Sequence, residues 1–250
     1  MALVIDASSP AAHTTTTGTN TTAAFTPPSD PLLLAMWAGD SDAGATVAAS
    51  TITSSPSQTW TNDAFSGYDV SDLLSGAWAA DEIWHALPSG SPGSTTVTVV
   101  NANRSLASAL QVFVITGHDS VAPIGAKGES AQVAGTTVDA SYTATITGGQ
   151  GFMILSDWNA HSLTGATPAA GNTILSTGII AGSISYLTMR RTDPDGVLGD
   201  TTTMSISTLP ASASWRWAYV EVISEEAAQA AHHLPIGSRR TTAKHHAANW

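Results

Sequence analysis

The chain has 250 residues, a net charge of −11, a charged fraction of 11% and no cysteine. It is long enough to bury a sizeable core, and it has no disulfide framework, thiolate metal site or thiol nucleophile. All nineteen acids but only five of the eight basic residues lie at or before Glu226, whereas 227–250 holds Arg239, Arg240, Lys244, four histidines and no acid; the acidic body argues against nucleic acid as a partner.

Ala2–Ile5 reads as a short strand. The N-terminus lacks a positive region followed by an apolar core, so Sec export is not expected, and no run is long enough for a transmembrane helix. Ser8–Thr22 is rich in Thr, Ser and Ala and reads as an edge strand or an extended arm. Pro27-Pro28-Ser29-Asp30-Pro31 reads as a stiff extended entry. The run LLLAMWAGD from Leu32 has apolar groups on both alternating faces, as a buried strand should.

Thr46–Thr53 and Gln58–Asn62 are short strand candidates, and Asp69–Leu74 fits one helical turn capped by Asp69. In Gly76–Leu87, period two puts Trp78 and Trp84 on one face and Ile83 and Leu87 on the other, which predicts a central strand. Ser94–Val100 and Leu110–Thr116 are β-branched or apolar throughout. Val138–Ile146 alternates cleanly, with Val138, Ala140, Tyr142, Ala144 and Ile146 on one face and polar residues on the other.

Gly151–Trp158, Ile179–Met189, Thr201–Ser207 and Ser212–Ile223 follow, separated by Gly, Asn, Asp and Pro turn signals. That gives about ten strands at the spacing of an antiparallel sandwich. In the last strand Trp215, Trp217 and Tyr219 share a face, and Ala218, Val220 and Val222 the other. Ser224 is placed to cap a short helix over 225–233, which Pro235 and Gly237 stop. No internal repeat is legible. The expected division is an N-terminal strand and Thr-rich arm over 1–30, a sandwich over 31–223, and a short helix with a basic arm over 224–250.

No catalytic constellation emerges. Asp81, Glu82 and His85 are close in sequence, but on a strand Asp81 and His85 share a face and Glu82 points away, so the three do not converge as a helical metal motif does. Thr116–Asp119 (TGHD) is a turn, with Gly117 and Asp119 supplying the turn chemistry. His232-His233 and His245-His246 diverge as neighbours and have no carboxylate beside them. Asp193, Asp195 and Asp200 lack the spacing of a calcium loop and read as a tight turn. Trp215, Trp217 and Tyr219 form the best aromatic stripe for stacking on a sugar, although the apolar opposite face of that strand favours core. No metal or cofactor is expected.

Four segments taken together, ADEIWHALPSGSPGSTTVTVV, VFVITGHDSVAPIGAKG, GFMILSDWNA and WRWAYVEV, resemble the minor tail and other accessory virion proteins of phages that infect actinobacteria. The resemblance spans about Leu32–Ile223, and its motifs are short and structural. It implies a jelly-roll-like sandwich, repeated around a symmetric particle, with terminal arms that grip neighbours. The expected protein is therefore a non-enzymatic virion component, made in the host cytoplasm, that forms homo-oligomers and contacts other virion proteins. Arg239, Arg240, Lys244 and Trp250 are the expected partner-binding residues of the C-terminal arm. The alternative is a carbohydrate-binding, host-recognition sandwich that uses Trp215, Trp217 and Tyr219 on a host surface glycan.

Overall fold

The computed structural model describes residues 2–40, 51–66, 79–100, 107–130, 133–157, 160–180, 184–211 and 214–225. Among these the chain is all-β, with eighteen strands and no helical element, and every strand pairing is antiparallel. The first nine are β1 (Val4–Ile5), β2 (His13–Thr15), β3 (Thr19–Thr21), β4 (Leu32–Asp40), β5 (Thr51–Ser55), β6 (Thr61–Ser66), β7 (Ala79–Ala86), β8 (Thr96–Val100) and β9 (Ser108–Thr116). The second nine are β10 (Ile124–Glu129), β11 (Val133–Ala134), β12 (Val138–Thr143), β13 (Gln150–Asp157), β14 (Thr167–Pro168), β15 (Asn172–Ile180), β16 (Ile184–Arg191), β17 (Thr201–Ser207) and β18 (Ser214–Val222).

The two sets repeat one another. The first builds a sheet in the order β1-β9-β4-β7-β6, with β2 also on β9, and a small sheet β3-β8-β5. The second builds β10-β18-β13-β16-β15, with β11 also on β18, and β12-β17-β14. Each strand of the first half therefore has its counterpart nine strands later. Register agrees as well: β6 bulges against β7 between Asn62 and Ala64, and β15 bulges against β16 between Ile174 and Ser176. The absence of a legible repeat in the sequence is thus corrected, because what recurs is strand order and register rather than residues. Equivalent strands read LLLAMWAGD in β4 and QGFMILSD in β13.

Three apolar clusters set the layers. Leu32, Leu34 and Met36 of β4, Ile83 of β7 and Phe113 of β9 meet Phe152 and Ile154 of β13 and Val220 of β18, so the two large sheets face each other across one core. Leu33, Ala35 and Trp37 project the other way, onto Val97 and Val99 of β8. Met153, Leu155 and Trp215 likewise pack on Val138, Ala140 and Ile206 of the small second-half sheet. Because β4, β9 and β13 are covered on both faces, their middle residues run apolar rather than alternating, whereas β18, covered likewise, buries Arg216 and Glu221 among its apolar residues. Strand β12 has a single covered face and alternates buried and exposed from Val138 to Thr143.

Several expectations shift in detail. The strand expected over Ile179–Met189 is the end of β15 and most of β16, which pair antiparallel with Ile180 opposite Ile184. The expected count of about ten strands is corrected to eighteen among the described residues, since β10, β11, β14 and all but the end of β15 were not expected as strands. The Ser8–Thr22 stretch supplies β2 and β3, which pair with β9 and β8. The proline-rich entry is not uniformly extended: Asp30 has φ 49°, a left-handed conformation that Asp tolerates better than most residues. It exchanges two bonds with Gly90, donating its N–H to the Gly90 carbonyl at 2.8 Å and accepting the Gly90 N–H on Oδ1 at 2.6 Å. The helical turn at Asp69–Leu74, Trp78, the helix over 225–233 beyond Glu225 itself, and the arm with Arg239, Arg240, Lys244 and Trp250 lie outside the described residues.

Candidate functional site

Polar chemistry gathers in three places, each fixed by strand parity. The first is the corner where β6 meets β10, at the join of the two halves. Phe65 donates its N–H to Glu129 Oε2 at 3.0 Å, and the Ser66 hydroxyl donates to the Ser130 carbonyl at 2.5 Å. Asp63, the bulged residue of β6, is paired with His85 Nδ1 at 2.6 Å and Lys127 Nζ at 3.4 Å. The bulge gives one strand an extra residue whose side chain can be re-aimed, and here it aims a carboxylate at the other half.

The second place is the interface between the large sheets. Asp81 shares a face with Ile83 and is fully buried in it, while Glu82 shares the opposite face with Trp84 and accepts a bond from Asn62 Nδ2 at 3.5 Å. The expected divergence of this acidic pair follows from parity. Burial holds the Asp81 carboxyl well above the usual carboxylate range, with Ser156 and Arg216 opposing the shift. Asp81 and the Ser156 hydroxyl face each other without a well-formed hydrogen bond. At the far end of β13, the buried Asp157 contacts His161 Nδ1, and the Ser185 hydroxyl donates to the His161 carbonyl at 2.6 Å.

The third is a carboxylate pair under the aromatic stripe of β18. Glu221 is fully buried and accepts bonds from the Ala126 N–H at 2.9 Å, the Thr145 N–H at 3.1 Å and the Thr145 hydroxyl at 2.5 Å. Asp195 accepts the Tyr142 hydroxyl on both oxygens, at 3.0 and 2.9 Å, with Arg191 Nε at 3.5 Å. Burial first, then the Glu221 charge, push Asp195 up to about 6, against the bond from Tyr142. Glycine is required around the pair: a Cβ at Gly125 would lie 2.4 Å from Glu221 Oε2, and one at Gly149 2.6 Å from Oε1.

These carboxylates are tied into the scaffold by strand, loop and phenol donors, and Asp195 and Glu221 are 2% and 0% exposed. The arrangement fastens the 144–149 loop to β18 through Glu221 and the 192–200 loop to Tyr142 and Gly149 through Asp195. Asp195 was expected in a tight turn, and its loop does turn, with Gly199 at φ 91°. The buried carboxylate that reaches Tyr142 was not anticipated. Glu221 could have been found from V-E-V, since an acid inside a strand with both faces covered has to be buried and satisfied.

The aromatic stripe divides. Trp215 is 0% exposed within the second-half core, which removes it from any stacking platform. Trp217 and Tyr219 are partly exposed on the same side. Tyr219 stacks on Tyr142 with ring centroids 5.4 Å apart and lies over Gly128, where a Cβ would meet its hydroxyl at 2.6 Å. TGHD is a turn, with Gly117 at φ 75° and Asp119 Oδ1 accepting the N–H groups of Val121 and Ala122. His118 within it is buried, bridges to Ser224, and is held below the usual histidine range by burial. Among the described residues no group of three or more His, Asp or Glu side chains is placed to hold a metal. No family model matches the chain, and no curated protein matches it in sequence.

Proposed function

We propose that the protein is a non-enzymatic structural protein of a phage virion, a minor tail or capsid-surface accessory protein that forms homo-oligomers through its sandwich faces and terminal arms. The observation that carries this reading is the tandem strand order. In each half the first strand lies beside the last, and the order first, last, fourth, seventh is set against third, eighth, fifth. We read each half as a jelly-roll-like unit, an architecture used by capsid and lectin domains. Two such units back to back make a rigid four-layer block whose buried acids serve packing. The basic segment after Glu225 then docks on acidic neighbours, with Arg239, Arg240, Lys244 and Trp250 as its contacts.

The test compares the full chain with one ending at Glu225 by sedimentation and electron microscopy. Oligomers that weaken or vanish on truncation support the arm; identical assembly of both sinks it. Turnover of a cell-wall polysaccharide by the full chain would overturn the non-enzymatic reading altogether.

A second reading, glycan binding, is favoured by the partly exposed Trp217 and Tyr219 beside Tyr142. Trp217→Ala with the fold retained should abolish binding on a glycan array if this surface is used, and unchanged binding removes it.

A further inference from the structure

The halves are equivalent strand for strand, so a position where they differ needs its own cause. β6 and β15 are equivalent outer strands of the two large sheets. Matching their bulges aligns Asp63 with Leu175 and Phe65 with Thr177, since Trp84 and Ile83 opposite β6 correspond to Met189 and Thr188 opposite β15. The β6 edge is closed by β10: the outward N–H of Phe65 is taken by Glu129, Ser66 holds Ser130, and Asp63 is paired with Lys127. The equivalent contact for β15 would come from β1. Among the described residues no hydrogen bond or ion pair joins β1 to β15, and no described residue accepts the Thr177 N–H as Glu129 accepts that of Phe65.

The open edge is also unguarded. Natural sheets protect a long edge with charge, proline or a cover, yet the nine residues of β15 include no charged group and no proline. No Asp, Glu, Lys or Arg occurs anywhere between Asp157 and Arg190, the longest such gap in a chain of net charge −11. Leu175 packs on the inter-sheet core where Asp63 forms an ion pair, and Ile179 is 48% exposed. Copies of so acidic a chain repel over most of their surface, and this uncharged strand is where they can approach. An antiparallel strand is self-complementary about a two-fold axis, the commonest closed symmetry.

We propose that β15 pairs antiparallel with β15 of a second copy of this chain, joining the two second-half sheets into one continuous sheet across a two-fold axis. The inference rests on the homo-oligomer part of the proposed function and not on its virion part. Thr177 is the informative position. Its N–H points out of the sheet by equivalence with Phe65, so proline there blocks strand addition while leaving the β15–β16 ladder its donors.

The test is light scattering on size-exclusion eluates of the full chain, the chain ending at Glu225, and the full-length variants Thr177→Pro and Thr177→Lys, with circular dichroism melts to verify folding. The full chain should elute as an even-numbered oligomer, the truncated chain, which lacks the arm contacts, should still elute as a dimer, and both variants should lower the full chain's mass about twofold at an essentially unchanged melting temperature. Should Thr177→Pro fail to fold, Thr177→Lys decides alone. Variants that keep the wild-type mass overturn the β15 contact while leaving homo-oligomerisation by other surfaces intact. A full chain that is monomeric at every concentration overturns both. A monomeric full chain beside a dimeric truncated one overturns the proposal by assigning the edge to the chain's own C-terminal segment.

Discussion

Asp195 and His118 place opposite pH dependences in one molecule. Asp195 has its carboxyl raised from 3.8 to about 6, so the folded state binds more protons than the unfolded one between those values. Its contribution is fully present below pH 3.8 and is lost as pH rises through about 6. With solvent screening allowed for, the loss is on the order of 1–2 kcal/mol. His118 is buried and its pKa lowered from 6.5, so the unfolded state binds the extra proton, and stability is lost as pH falls below 6.5. Thermal melts between pH 4 and pH 7 should therefore show Asp195→Asn gaining on wild type as pH rises, and His118→Gln gaining as pH falls. Parallel curves for wild type and Asp195→Asn would mean that the Asp195 carboxyl is not raised by its burial as described.

At the scale of the element, double coverage governs. Ile83 on β7 is wholly enclosed between the large sheets, and Ile83→Ala should cost about 2–5 kcal/mol in denaturant unfolding through lost transfer energy and a residual cavity. Gly151→Ala on β13 fails for the converse reason. Its Cβ would sit 2.7 Å from the Tyr142 hydroxyl and 2.8 Å from the Met204 sulfur, and such overpacking costs about 1–3 kcal/mol. A neutral Gly151→Ala would show that Tyr142 and Met204 can shift off β13, so that the β12-β17-β14 sheet packs more loosely on it than the close approach implies.

Coverage also explains what could be read from the sequence. β4 and β9 were legible because both faces are apolar, and β12 because one face is; these patterns follow directly from burial. β10 (IGAKGE) has neither pattern, since its glycines leave room for Tyr219 and Glu221 rather than filling a core. β15 and β16 merged in the reading because β15 ends and β16 begins on isoleucine, with no charged residue, proline or asparagine between them. The parity of Trp215, Trp217 and Tyr219 was legible and the apolar opposite face favoured core, as the full burial of Trp215 shows, whereas the partial exposure of Trp217 and Tyr219 was not legible, because only the β12-β17-β14 sheet reveals how far that face is covered.

At the scale of the molecule the duplication is the organising fact, and it was hidden because strand order is a matter of which strands neighbour one another rather than which residues they contain. Equivalent positions carry opposite chemistry, as at Asp63 and Leu175, so one corner of the block closes on itself while among the described residues nothing closes the other. The closed corner joins the two halves through Phe65–Glu129, Ser66–Ser130 and Asp63–Lys127, and the proposed assembly uses the β15 edge and the segment beyond Glu225. The central claim is that this tandem block is a scaffold that assembles without catalysing anything. Cryo-electron microscopy of the purified full-length protein tests it most directly. The expected result is a symmetric particle whose subunits each show two equivalent sandwiches back to back, in contact through β15. Single particles of 25.5 kDa at every concentration would contradict it.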